Sequence, residues 1–242
     1  MDKKNVVITQ FFINLYDTNH NRMVTNTDAV ELTHILQESV ARFGVELHTL
    51  INFTNTGKVP PLQKIVNVDL NNKYPEGKIY FLRWVVTLEY LLRHPEIEKA
   101  AIVDAGDVEM MNYPFDDLDP HTLYVGDENN DLTVPIITQD GLPDYMRNFL
   151  DHNRYLQLLN TGILIGTRKV LLEYLTIFVK LVTQDVMDSK LHPGLLGLGD
   201  WEMAIANYIL YKLFPSRIYH GRQVATLFQH TQRETESWFK HK

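Results

Sequence analysis

The chain has 242 residues, 45% of them apolar, which is enough for one substantial buried core. A formal net charge of -7 argues against broad, non-specific attraction to nucleic acid, which draws on clustered Lys and Arg. The absence of cysteine excludes a disulfide framework, a thiol nucleophile and a thiolate metal site.

The polar start Met1-Asp2-Lys3-Lys4 leads straight into a short apolar run, too brief for a signal peptide, and nothing later reaches membrane-spanning length. The cytoplasm is therefore the expected compartment. No internal repeat, low-complexity tract or flexible linker divides the chain, so it reads as a single domain.

Val6 to Ile13 is rich in β-branched and aromatic residues and predicts a buried first strand, followed by an aperiodic polar loop from Asn14 to Asn26. Asp28 and Glu31 form a capping-box pattern. Leu32, Ile35, Leu36, Val40 and Phe43 then recur at helical spacing until Gly44 ends it. Val45–Phe53 and Gln63–Asp69 predict two strands around a turn-rich segment. Ile79–Arg93 predicts a helix with Trp84, Leu88 and Leu91 on one face and Arg83, Thr87 and Tyr90 on another.

Ala100–Val103 is a continuous apolar run, the pattern of a strand covered on both faces. Beyond it the sequence predicts a strand at Thr122–Val125, a short helix at Asp144–Leu150, a strand at Leu158–Ile165, and helices at Lys169–Gln184 and Asp200–Phe214, the latter with Asp200 as its N-cap. Arg217–His220 and Thr226–His230 look like short strands. The closing Trp238-Phe239-Lys240-His241-Lys242 reads as a frayed terminal turn rather than an aromatic and basic tail for an anionic membrane. The alternation implies an α/β fold: a mostly parallel central sheet with helices on both faces, whose ligands bind beyond the strand carboxyl ends.

The stretch Ala101-Ile102-Val103-Asp104-Ala105-Gly106-Asp107-Val108-Glu109, followed by Asn112-Tyr113-Pro114-Phe115, delivers two carboxylates from a buried strand into a turn. Ala105 and Gly106 are small enough to let both acids face one point. Mg²⁺ and Mn²⁺ favour such oxygen ligands and complete their shells with substrate phosphates. The competing structural reading has Asp104 capping the turn and Asp107 merely solvated.

This region resembles the DxD segment of GT-A glycosyltransferases, in a DxxD variant with a following Pro-Phe. Three other stretches fall in the family's order: Arg83 in a preceding helix, Asn160-Thr161-Gly162 in an Asn-x-Gly strand, and Glu202 to Asn207 in a later helix. The resemblance implies a GT-A-like domain, with a nucleotide- and metal-binding part over about 1–128 and an acceptor-side part over about 129–242. It also implies a metal-dependent hexosyl- or pentosyltransferase using Mn²⁺ or Mg²⁺ and a nucleotide-diphosphate sugar, a UDP-sugar foremost.

By the same resemblance Asp104 and Asp107 would hold the metal, with His230 or His220 as a third ligand and His230 preferred. Thr9, Gln10, Asn14, Tyr16, Arg83, Ala105, Gly106 and Gly162 would line the donor site, with Tyr16 stacking on the base. Asn160, Glu202 and Asp200 would serve the transfer itself. Glycan, lipid-linked saccharide or protein acceptors are implied before DNA. A transferase of modified DNA bases, of the kind some phages use, and a catalytically inactive nucleotide-sugar binder are the alternatives. A phosphatase of the haloacid dehalogenase type is disfavoured, because its paired acids stand two apart and on the first strand.

Overall fold

The computed structural model describes residues 3–18, 20–25, 28–71, 73, 78–138, 141–192, 198–199, 202–226 and 235–241. In chain order the elements are β1 (Lys4–Phe11), β2 (Tyr16–Asp17), β3 (Arg22–Met23), α1 (Ala29–Leu32), α2 (His34–Ala41), β4 (Glu46–Ile51), β5 (Gln63–Asn67) and α3 (Ile79–Arg93). There follow β6 (Ile97–Val103), β7 (Val108–Met110), β8 (Leu123–Asp131), α4 (Asp144–His152), β9 (Gln157–Thr167), α5 (Arg168–Leu191), α6 (Met203–Leu213), β10 (Ile218–Tyr219), a 3-10 turn (Arg222–Val224) and β11 (Phe239–His241).

Seven strands form one sheet in the order β10-β8-β9-β6-β1-β4-β5. All neighbours are parallel except at β9, which runs antiparallel to both β6 and β8. The expected α/β fold with a mostly parallel sheet is what the chain forms. From β1 the chain builds outward through β4 and β5 on one side and returns to place β6 on the other. The β1/β6 junction is thus a topological switch point, where an open α/β sheet leaves a crevice at its strand carboxyl ends.

Alternation along the strands feeds two apolar layers. Val6, Ile8, Ala100, Ile102, Leu123 and Val125 pack under α3, α5 and α6. Val7, Ala101, Val103, Tyr124 and Ile165 pack on the other side, with α2 and the small β7–β11 ribbon. Among the described residues no helix is long and apolar enough to cross a membrane.

Two expectations need correction. The helix predicted from Asp28 is broken at Thr33 into α1 and α2. Asp28 does cap α1, accepting hydrogen bonds from the backbone N–H groups of Val30 and Glu31, and Gly44 takes a φ of 68° past the last turn. The expected terminal fray is instead a strand: Trp238 and Phe239 are buried, and β11 pairs antiparallel with β7.

Toward the amino ends of the strands, His48 is buried between two partners. The Tyr90 hydroxyl donates to Nδ1 at 2.8 Å, and Nε2 lies 3.0 Å from Oε2 of Glu46, an arrangement satisfied by the neutral imidazole with its proton on Nε2. Burial lowers the pKa of His48 from its ordinary 6.5, with Glu46 opposing. The folded chain then binds fewer protons at this site than the unfolded one as pH falls below 6.5, so stability is lost in that direction. Urea denaturation above and below pH 6.5 should show a loss on the acid side that His48→Gln reduces; identical losses in both proteins would refute this.

Candidate metal centre

Strand β6 ends at Val103 and presents Asp104 at the switch point. Two bonds fix that exit: the Thr9 hydroxyl donates to the Val103 carbonyl at 2.8 Å, and the Asp104 N–H donates to the Gly162 carbonyl at 3.0 Å. Thr9 is fully buried and serves here as a stitch between β1 and β6. After the Ala105-Gly106 turn, Asp107 precedes β7, whose first residue Val108 pairs with His241.

His241 is therefore brought beside the two acids. Its Nε2 lies 3.4 Å from Oδ2 of Asp104 and 3.6 Å from Oδ2 of Asp107, too far for good hydrogen bonds. One donor atom from each of the three residues falls within 4.8 Å of the others. The imidazole is 2% exposed, and neither of its ring nitrogens has a hydrogen-bond partner. A buried imidazole without hydrogen bonds, facing two carboxylates, is a donor set that fits a divalent cation.

The segment that carries His241 is held by its aromatics and its backbone. Trp238 packs 5.2 Å from the Tyr124 ring, and its N–H donates to the Gln223 carbonyl at 2.7 Å. The Met111 N–H donates to the Trp238 carbonyl, and the Asn112 side chain donates to the carbonyls of Thr235 and Ser237. These contacts turn an aromatic tail into an anchor.

Behind Asp104 lies Arg83, from the buried face of α3. Its guanidinium is 2.7 Å from Oδ1 of Asp104 and 3.7 Å from Oε1 of Glu202, and it lies over the Trp84 ring at 4.5 Å. Burial works against the charge of Asp104, but Arg83 and His241 hold its carboxyl well below the usual range. Burial pushes Glu202 up to about 7 despite Arg83. For His241 burial opposes protonation, yet the two carboxylates raise its pKa to about 9.

Asn160 and Gly162 form the neighbouring wall. Asn160 accepts from the Gly162 N–H at 2.7 Å and donates to Oε1 of Glu128 at 2.5 Å. A Cβ on Gly162 would stand 2.7 Å from Oδ2 of Asp104, 3.0 Å from Oδ1 of Asn160, and against His241 Cε1. Glycine is required here by the crowding of the acids and imidazole. Gly162→Ala should lower stability by about 1–3 kcal/mol, as overpacking does, and should also weaken Mn²⁺ binding. Wild-type values in denaturation and metal titration would contradict the crowding.

A cleft of ≈ 280 Å³ leads away from the acids, lined by Gln10, Arg22, Tyr80, Arg83, Asp104 and Asp107 among others. Gln10 donates to the Thr87 hydroxyl at 2.8 Å. Asn14 sits at a φ of 60° with its N–H on the Val24 carbonyl, and Tyr16 is largely exposed, its hydroxyl bonded to Asn21. Ala105 lines the cleft; Gly106 forms the turn between the acids.

The sequence reading looked for the third ligand at His220 or His230. His220 is not in the cluster: its Nδ1 lies 3.2 Å from Oδ2 of Asp127. His230 and Asp200 lie outside the described residues. Glu202, rather than Asp200, occupies the N-cap position of α6, without a capping bond from its side chain. Asn207 is a lock between α6 and β9, accepting from the Leu159 N–H and donating to the carbonyls of Leu159 and Met203. Its buried amide thus holds the start of α6, with Glu202, beside the strand of Asn160 and Gly162.

No protein-family model matches the chain, and no curated protein sequence matches it. Among solved structures the chain is similar to one described as the "crystal structure of a glycosyltransferase involved in the glycosylation of the major capsid of PBCV-1", at 11% identity and a TM-score of 0.48, over 98% of this chain and 94% of that one. At that distance nothing about substrate or chemistry transfers from one chain to the other.

Proposed function

We propose that this chain is a metal-dependent glycosyltransferase of the GT-A type, acting on a nucleotide-diphosphate sugar, foremost a UDP-sugar. The observation that carries the reading is the convergence of Asp104, Asp107 and His241 at the sheet's switch point, beside a cleft. Three protein donors leave the remaining positions of an Mn²⁺ or Mg²⁺ shell for phosphate oxygens. A divalent cation there supplies charge stabilisation for a departing diphosphate.

The chain's own residues do the rest. Arg83 keeps Asp104 ionised and fixes its orientation through the 2.7 Å ion pair. Glu202 stands on the other side of Arg83, and its ionised form would oppose positive charge developing at the sugar carbon. Asn160, oriented by Glu128 and the Gly162 N–H, would meet the sugar beside the cluster. The acceptor class is a glycan, lipid-linked saccharide or protein.

A thermal-shift screen of nucleotide sugars with and without Mn²⁺ tests this, because a ligand that binds only the folded state raises its apparent stability. The expected result is a metal-dependent shift with one donor, absent in Asp107→Ala and Asp104→Ala. A folded wild type that responds to no donor, with or without Mn²⁺, would overturn the reading.

A further inference from the structure

The β2–β3 hairpin contributes Asp17, His20 and Arg22 to the lining of the cleft. Hydrogen bonds between Asn14 and Val24, and between Val24 and Leu15, close its base. Within it Asp17 and Arg22 are cross-strand partners, a position where opposite charges ordinarily pair. They do not pair here.

Asp17 is 9% exposed, and its carboxylate is already engaged. Oδ1 accepts from the Tyr80 hydroxyl at 2.6 Å and from the His20 N–H at 3.1 Å, while Oδ2 lies 2.7 Å from His20 Nδ1. The Tyr80 bond also ties the hairpin to α3. Among the described residues the Arg22 side chain has no ion-pair or hydrogen-bond partner, yet it lines the same cleft as Asp104 and Asp107. The other arginine of the cleft, Arg83, is committed to Asp104 and Glu202.

Among the described residues that line the cleft, the arginine free to meet an anion is therefore Arg22 and not Arg83, which the sequence resemblance put in the donor-site lining. We propose that Arg22, on the hairpin, binds the diphosphate of the nucleotide in the cleft it shares with Asp104 and Asp107. The planar guanidinium fork matches two phosphate oxygens, and it meets charge that a cation already shared with two carboxylates leaves unneutralised. This assignment rests on the transferase reading and names the residue that would grip its leaving group.

Calorimetric titration with pyrophosphate and with UDP, each in saturating Mn²⁺, tests it on the full chain. Arg22→Ala should weaken both ligands about tenfold to a hundredfold, the range of hydrogen bonds to charged groups. Arg22→Lys should recover part of the loss, and binding of Mn²⁺ alone should be unchanged. Wild-type affinity for both ligands in Arg22→Ala would overturn the assignment while leaving the transferase reading intact, as would an equal loss of Mn²⁺ binding. Failure of the wild type to bind either ligand would overturn the transferase reading and this assignment together.

Discussion

His241→Ala is expected to weaken Mn²⁺ binding by roughly 100-fold or more, since even outer-shell partners of metal ligands cost about 10–100-fold when removed. The imidazole offers the cluster its nitrogen, and its Nε2 faces both acids. The variant should remain folded, because the β11 segment is held through Trp238, Phe239 and the backbone bonds around Asn112, not through the imidazole. Metal titration of the two proteins, with denaturation as the control, separates loss of a ligand from loss of the strand. His220→Ala, at the Asp127 pair, should leave Mn²⁺ binding as it is. Equal affinities in wild type and His241→Ala would remove the histidine from the centre.

The second large effect concerns stability. Arg83→Met should cost about 3–5 kcal/mol, the usual penalty for removing one partner of a buried ion pair. Buried Glu202 and the partly exposed Asp104 would lose the guanidinium that now lies between them. Part of this cost comes from Glu202, so adding Glu202→Gln to Arg83→Met should return some of the stability, which a double-mutant cycle measures. A loss below about 1 kcal/mol, of the size found for surface pairs, would show that Arg83 is solvated rather than structural.

Much of the frame was legible where a strong pattern acts locally. The helix expected over Ile79–Arg93 has those bounds, because its apolar residues recur over four turns and nothing interrupts them. The run before Asp104 forms a strand buried on both faces, as continuous apolar sequence requires, although it begins three residues earlier at Ile97. The strand expected over Leu158–Ile165 also forms, but period-two patterning carries no direction, and its antiparallel course became visible only in the register with β6 and β8.

The losses have a common cause in long-range pairing. β8 continues to Asp131, well past Val125, because the polar run Asp127-Glu128-Asn129-Asn130 is held by pairing with β9, and register shifts let it bend. β7 and β11 are three residues each, too short for any periodicity, and they pair across more than a hundred residues of sequence. Adjacent Trp238 and Phe239 were the one local sign that the last segment packs. Nothing in the spacing of histidines distinguishes His241 from His220, so the cluster's nitrogen donor could be found only in three dimensions.

In the proposed transferase, Asp104, Asp107 and His241 form a divalent-cation centre that receives a nucleotide diphosphate. Electron paramagnetic resonance of Mn²⁺ with the folded chain tests it most directly. The wild type should show a saturable class of bound Mn²⁺ that is lost in Asp107→Ala and in His241→Ala, and whose signal changes when a UDP-sugar is added. Bound Mn²⁺ that is absent from the wild type, or the same in all three proteins, would contradict it.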